Sequence, residues 1–207
     1  AVLSSAQRAD VVAVDHEKQL FSRAITNYGE RVLREVESVA SSEGAIQNIR
    51  RVFDPAWARQ RVGVWLETYF DHDYIFIFDR KDDLAFSMVG HKPADMKWFE
   101  DARPGLISVI DYMRGRDPDL RDAFRLNQAT VANGNAHLQI AAIRRLMGRP
   151  AVIAAVAVGP ADGVHASPDS VAPVIMSVKF IDEGALARIA TQLRLTNLRR
   201  IEQDPIP

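Results

Sequence analysis

The sequence predicts an α+β fold: an antiparallel five-stranded sheet behind a long N-terminal helix, with a helical segment inserted after the second strand. Three observations predict it. Nothing but Gly29 interrupts a helical pattern from Val2 to Ala40. Five short runs rich in β-branched and aromatic residues follow, each bounded by turn residues. Two of them precede a further helical stretch near residues 93–114 and three come after it.

The first helix carries Phe21, Ile25, Tyr28, Val32, Val36 and Val39, spaced 4, 3, 4, 4 and 3 apart, which lays them on one stripe. Charged residues such as Glu30, Arg31, Arg34, Glu35 and Glu37 fill the other faces. At full length this helix extends roughly 58 Å, longer than one compact domain needs. It either packs along the sheet as a core helix or pairs with a copy of itself. "SSEG" at residues 41–44 ends or kinks it, and Asp54-Pro55 starts a second helix as N-cap and first helical residue. That helix carries Trp57, Arg61, Val64, Trp65 and Tyr69.

"YIFIF" at residues 74–78 reads as a strand apolar on both faces, with Tyr74, Phe76 and Phe78 on one side and Ile75 and Ile77 on the other. "DRKDD" turns the chain into a second strand at residues 84–89. Residues 93–114 are helical, with Leu106, Val109, Ile110 and Met113 as the buried stripe and an expected break at Pro104-Gly105. Residues 115–134 are polar and resist assignment. Two strands, residues 137–144 and 151–158, join through "RLMGR" with Gly148 as the turn residue. A last strand spans residues 174–181, and Asp182 caps a final helix whose inner face is Leu186, Ile189, Ala190 and Leu193. The order of elements is PAS-like.

Composition removes several function classes. Twenty-six basic residues offset 27 acidic ones, so no overall field attracts nucleic acid or anionic lipid. With no cysteine there are no disulfides, thiol nucleophiles or Cys-ligated zinc. The longest apolar run, "AVIAAVAV", has eight residues, against about 20 for a membrane-spanning helix. The chain opens on "AVLSSAQRAD" with no starting Met or signal peptide, and it reads as a piece of a longer protein.

The most provocative stretch is "YFDHDYIFIFD", where Asp71, His72 and Asp73 stand directly before the first strand. As a metal cluster it is poor, because adjacent extended residues point to opposite sides. His16, His91, His137 and His165 add no His-x-x-x-His or Glu-x-x-His spacing. Neither a Gly-x-Ser-x-Gly elbow nor a lysine-bearing phosphate loop is present. No cofactor is implied, and no catalytic residue is nominated.

Residues 54–90, "DPAWARQRVGVWLETYFDHDYIFIFDRKDDLAFSMVG", resemble the core of the fourth CHASE family, sensor domains of the Cache superfamily. The resemblance rests on Trp57, Tyr69, His72, Asp73 and Asp79 in that order and spacing. "MGRPAVIAAVAVGP" and "VIMSVKFIDEGALARIA" are similar to the later hairpin and the last strand and helix. The resemblance implies one extracytoplasmic sensor domain over residues 1–207, with residues 1–40 as the long helix and 54–195 as the PAS-like core. It also implies flanking transmembrane helices, a periplasmic location, and output through GGDEF and EAL domains that make or degrade cyclic diguanylate, with a histidine kinase as the alternative. A relay module without small ligand and a small α+β enzyme remain the other hypotheses.

On that reading the ligand pocket is expected from Trp65, Tyr69, His72, Phe76 and Lys179, with Asp73 as a structural junction. By alternation His72 should share the face of Tyr74, Phe76 and Phe78, and Asp73 that of Ile75 and Ile77. His72 either contacts ligand or ties helix to strand. Lys179 either anchors an anionic ligand or lays its stem along the sheet with its ammonium in water. The expected partners are an unidentified small molecule and a second copy through the first helix; nucleic acid is not among them.

Overall fold

The computed structural model describes residues 2–117, 120, 123–125, 130–131, 137–160 and 171–193. Helix α1 (Val2–Ala40) leads to a single turn, α2 (Glu43–Ala45), capped by Ser42, whose hydroxyl accepts from the Ala45 N–H at 3.1 Å. A π-helical turn (Ile46–Arg51), α3 (Pro55–Ala58), a second π-helical turn (Arg59–Val64) and α4 (Trp65–Phe70) follow. Asp54 caps α3 as expected, accepting from the N–H groups of Ala56 and Trp57 at 2.9 and 3.1 Å. Trp57 lies against Gly44, where a Cβ would come within 2.6 Å of its ring, so only glycine admits the indole there.

Strands β1 (Tyr74–Phe78) and β2 (Leu84–Met88) form a hairpin. Its turn is held by Asp79, whose carboxylate accepts from the N–H groups of Lys81 and Asp83 at 2.8 and 3.0 Å. Helix α5 (Met96–Met113) comes next, then the short β3 (Ala123–Arg125) and β4 (Thr130–Val131). The long β5 (His137–Leu146) and β6 (Arg149–Ala157) are joined at Met147 and Gly148, both at positive φ. Strand β7 (Val174–Phe180) and helix α6 (Glu183–Leu193) complete the order. The strands run β2-β1-β7-β6-β5-β3, all antiparallel, with β4 also on β5. The five main strands are those expected, and their order makes the fold α+β and PAS-like. β3 and β4 are additions within the stretch that resisted assignment.

The chain divides into two compact units, Gly29–Phe180 and Ala1–Tyr28 with Ile181–Pro207. In the first, β7 is central and buried along its whole length. Phe76, Phe78, Ile153, Met176 and Val178 face α5, meeting Phe99, Leu106, Val109, Ile110 and Met113 in one continuous core. On the opposite face, Ile75 sits beside Met88 and Ser177 in register. The second π-helical turn closes on that side, where Gly63 approaches Met88 so nearly that a Cβ would stand 2.6 Å from its sulfur. In the other unit Ala24, Ile25 and Tyr28 of α1 and Ala185, Leu186 and Ile189 of α6 are buried. Asp182 caps α6 through the Ala185 N–H at 2.7 Å; the side chains of Ala190 and Leu193 lie outside the described residues.

One expectation needs correction. α5 does not break at Pro104 but runs through it. Pro104 and Glu100 are both on the exposed side, so the carbonyl that loses its donor is left to water. Gly105 then lets the helix approach Leu146, whose Cδ2 would be 2.7 Å from a Cβ there. Of the stripe on α1, Ile25, Tyr28, Val32, Val36 and Val39 are buried and Phe21 is half-buried.

The C-terminal end of α5 is pinned to the hairpin by Asp82, a non-glycine residue at φ 66 whose carboxylate accepts from Arg114 at 2.9 Å and Arg116 at 2.7 Å. Truncating the core beneath this helix tests the packing. Leu106→Ala is expected to cost about 2–5 kcal/mol in urea denaturation, because Leu106 is fully buried with nothing free to fill its volume. A loss below about 1 kcal/mol would show that α5 is not seated on the sheet as described.

Candidate functional site

The triplet before β1 separates into three roles. Asp71 sits at φ 56 and ends α4 in the left-handed conformation, its N–H turned to the carbonyls of Leu66 and Glu67. His72 is 1% exposed. Its N–H donates to the Leu66 carbonyl at 3.3 Å, and its ring is carried beneath the junction. Asp73 meets β7 on both sides of Lys179: its N–H donates to the Val178 carbonyl at 3.1 Å, and its carboxylate accepts from the Phe180 N–H at 2.7 Å.

Both nitrogens of the buried imidazole are engaged. Nε2 lies 2.9 Å from Glu35 Oε2 on α1, and Nδ1 contacts Ser177 Oγ on β7. An ionised carboxylate can only accept, so Nε2 carries the proton, Nδ1 is the acceptor, and the Ser177 hydroxyl donates to it. Burial pushes the His72 pKa below its ordinary value, opposed by the hydrogen bond to Glu35 and reinforced by the Lys179 charge. The imidazole is therefore neutral near pH 7.

Lys179 is 9% exposed, and its ammonium donates to the Phe70 carbonyl at the C-terminal end of α4. This corrects the expectation of a stem lying along the sheet with its ammonium in water, since the charge is held at the junction. His72 also departs from its expected face. It lies with Ser177, the ladder partner of Ile75, and not with Phe76 and Phe78. Regular alternation begins only at Tyr74; the chain bends at Asp73, between His72 and the strand, and that bend breaks the parity.

The five residues expected around one pocket do not converge. Phe76 is fully buried in the core under α5, on the opposite face from His72 and Lys179. Trp65 and Tyr69 are exposed on α4 by 39% and 65%, their ring centroids 4.4 Å apart. Only His72 and Lys179 meet at the junction that Asp73 holds. Glu35 and Ser177 were missed as site residues. The signal for Glu35 was available, because it stands four residues before Val39 and three after Val32, inside the buried stripe. Ser177 is a lone hydroxyl in the apolar run of β7, and nothing local gives its partner.

The contact order Ser177, His72, Glu35 has the form of a nucleophile, base and orienting carboxylate. Ser177 is wholly buried on the central strand, however, so no substrate reaches its hydroxyl. What the arrangement does is hold α1, the helix-to-strand junction and β7 in one hydrogen-bonded line. Among the described residues no group of three or more His, Asp or Glu is placed to share a metal ion, and no helix is long and apolar enough to cross a membrane.

Asp73→Ala is expected to lower stability by about 1–3 kcal/mol, since it strips the acceptor from the buried Phe180 N–H. Asp73→Asn keeps an acceptor and should lose less. Urea midpoints of both variants check this, and equal losses would mean that the hydrogen bond is not what matters.

The CHASE4 domain family model matches residues 24–199, a span that contains Glu35, the junction and β7. No curated protein matches the chain. The long helix, the PAS-like strand order and this match agree: the chain belongs to the CHASE4 domain family, a family of sensor domains of signalling proteins.

Proposed function

We propose that this chain is the periplasmic ligand-sensing domain of a membrane-bound receptor whose output is a GGDEF or EAL domain acting on cyclic diguanylate. The observation that carries the reading is the family match, which runs through both compact units and supports treating them as one sensor. The geometry adds a direction for the signal. Trp65 and Tyr69 expose aromatic faces on α4, which ends one residue before the buried junction. A small molecule settling on those rings would act on the Phe70 carbonyl, and through Lys179 and His72 on β7 and α1. In the full-length receptor α1 would pair with a second copy through its upstream residues, including Val11 and Val14.

A second reading is favoured by one specific observation. Phe76, Phe78, Leu106 and Ile110 are fully buried, so the α5 face is packed by the protein's own side chains. That suits a relay module that dimerises and transmits without a small ligand.

Thermal melts against a panel of amino acids, organic acids and polyamines separate the two. A ligand at a hundredfold excess over its Kd stabilises by about 2.7 kcal/mol, which is a shift of roughly 2–4 °C per kcal/mol for a chain of this size. The sensing reading expects at least one such shift, abolished by Tyr69→Ala. A flat panel, with crosslinking of Val11→Cys or Val14→Cys in the full-length receptor, supports the relay module.

A further inference from the structure

At the end of the sheet where β1 begins and β7 ends, the aromatic side chains of the α5 face reach the surface. Tyr74 and Trp98 lie face to face, ring centroids 3.8 Å apart and planes 8° from parallel, and both are half-buried. Phe180 stands edge-on to both, at 6.3 and 6.4 Å. The guanidinium of Arg149, the first residue of β6, lies over Phe180, 3.9 Å from the ring centroid. We infer that Arg149, Phe180, Tyr74 and Trp98 form a binding site for a small monocarboxylate with an apolar body. The inference goes beyond the sensing reading and does not rest on it, because the site is separate from Trp65 and Tyr69 on α4.

The chemistry starts from the donors that these residues leave unspent. Elsewhere guanidinium groups are engaged, Arg114 and Arg116 with Asp82, Arg59 and Arg80 with carbonyls. Arg149 is exposed, and among the described residues no carboxylate or carbonyl is bonded to its side chain. A guanidinium lying flat on a ring gives the ring its π-face and turns its N–H edge outward. That planar fork matches the two oxygens of a carboxylate. Stacking also holds the fork still, so less freedom is lost when an anion arrives. The Tyr74 hydroxyl likewise makes no hydrogen bond among the described residues. Burial, then Asp73, push its pKa above the ordinary value, with Arg149 opposing and Asp95 adding to the rise. The phenol therefore stays protonated and can donate to an anion.

The same surroundings limit the charge of the guest. Asp73 and Asp95 both act on Tyr74. Each already accepts from a backbone N–H, Phe180 at 2.7 Å and Lys97 at 2.9 Å, but their charges still repel an anion. A dianion such as phosphate feels that repulsion doubled, whereas a carboxylate carries a single charge, which one guanidinium neutralises. The half-buried indole and phenol offer apolar surface to the rest of the molecule. Access is open beside Gly148, the residue before Arg149, where a Cβ would meet no atom within 4 Å.

Nitrogen–proton NMR of the whole chain tests this with benzoate, phenylacetate and hexanoate as probes, and with benzyl alcohol and inorganic phosphate as controls. At least one carboxylate is expected to shift the Trp98 indole N–H and the Arg149 Nε–H together, with a single Kd below about 10 mM. Benzyl alcohol has a ring without the charge, and phosphate has charge without the apolar body. Both should bind at least about tenfold more weakly. Arg149→Lys keeps the charge and loses the fork, and should weaken the carboxylate by about tenfold or more. Tyr74→Phe keeps the ring and loses the hydroxyl, and should weaken it by about threefold or more. Arg149 is exposed and the tyrosine change is conservative, so thermal melts of both variants should match the unaltered chain. Tyr69→Ala should leave the Kd where it is, which separates this site from the aromatic pair on α4. The inference is overturned if no carboxylate moves the two signals, or if either control binds as tightly. It is equally overturned if Arg149→Lys or Tyr74→Phe retains the Kd, or if Tyr69→Ala raises it.

Discussion

A buried imidazole has two ring nitrogens, and each left without a partner costs as much as a lost hydrogen bond. His72 meets that constraint by drawing on two elements far from it in sequence, 37 residues upstream to Glu35 and 105 downstream to Ser177. The position of α1 along the sheet, the turn that ends α4 and the start of β1 all have to be compatible with that single ring. Apolar packing alone would let α1 slide, since Val32, Val36 and Val39 present similar surfaces one turn apart. The Glu35 contact is directional and selects one register.

Around this line the junction is tied at four consecutive residues of β7, among them Val178, whose carbonyl accepts from the Asp73 N–H. Ser177 takes the imidazole, Lys179 takes the last carbonyl of α4, and Phe180 gives its N–H to Asp73. Asp71 makes this possible by stopping the helix in a left-handed turn. The consecutive residues Asp, His and Asp thus act as helix stop, buried bridge and strand clamp. A smaller echo lies outside, where Glu67 of α4 accepts from the His91 backbone at 2.8 Å and Arg59 donates to the His91 carbonyl at 2.7 Å. These tie the loop after β2 to α4 and to the π-helical turn before it. A disturbance of α4 therefore reaches both the sheet edge and its centre.

The fold was largely legible because its determinants are local. Asp54-Pro55, the two-faced run at residues 74–78, the Asp79 turn, Gly148 and Asp182 each announce an element through a cap, a turn or a period. The site was much less legible, because its determinants are pairings across the chain. Lys179 donates to a carbonyl 109 residues away, and no local rule relates the two. The parity argument for His72 failed at one residue, since alternation holds only while the backbone is extended and the chain bends at Asp73. The π-helical turns widen the helix beside Gly44 and Gly63, where close approach of Trp57 and Met88 sets the spacing, and periodicity at 3.6 residues does not register them. Pro104 misled because a proline on the wet side of a helix costs less than one facing the core.

The account turns on His72 being neutral, protonated at Nε2 and held in one tautomer. Long-range nitrogen–proton NMR of the imidazole at about pH 7 reads this directly. One sharp set of signals is expected, with the proton on Nε2 and Nδ1 in the chemical-shift range of a hydrogen-bonded acceptor. An imidazolium at that pH, or the averaged signals of a ring exchanging between tautomers, would contradict the bridge from α1 to β7.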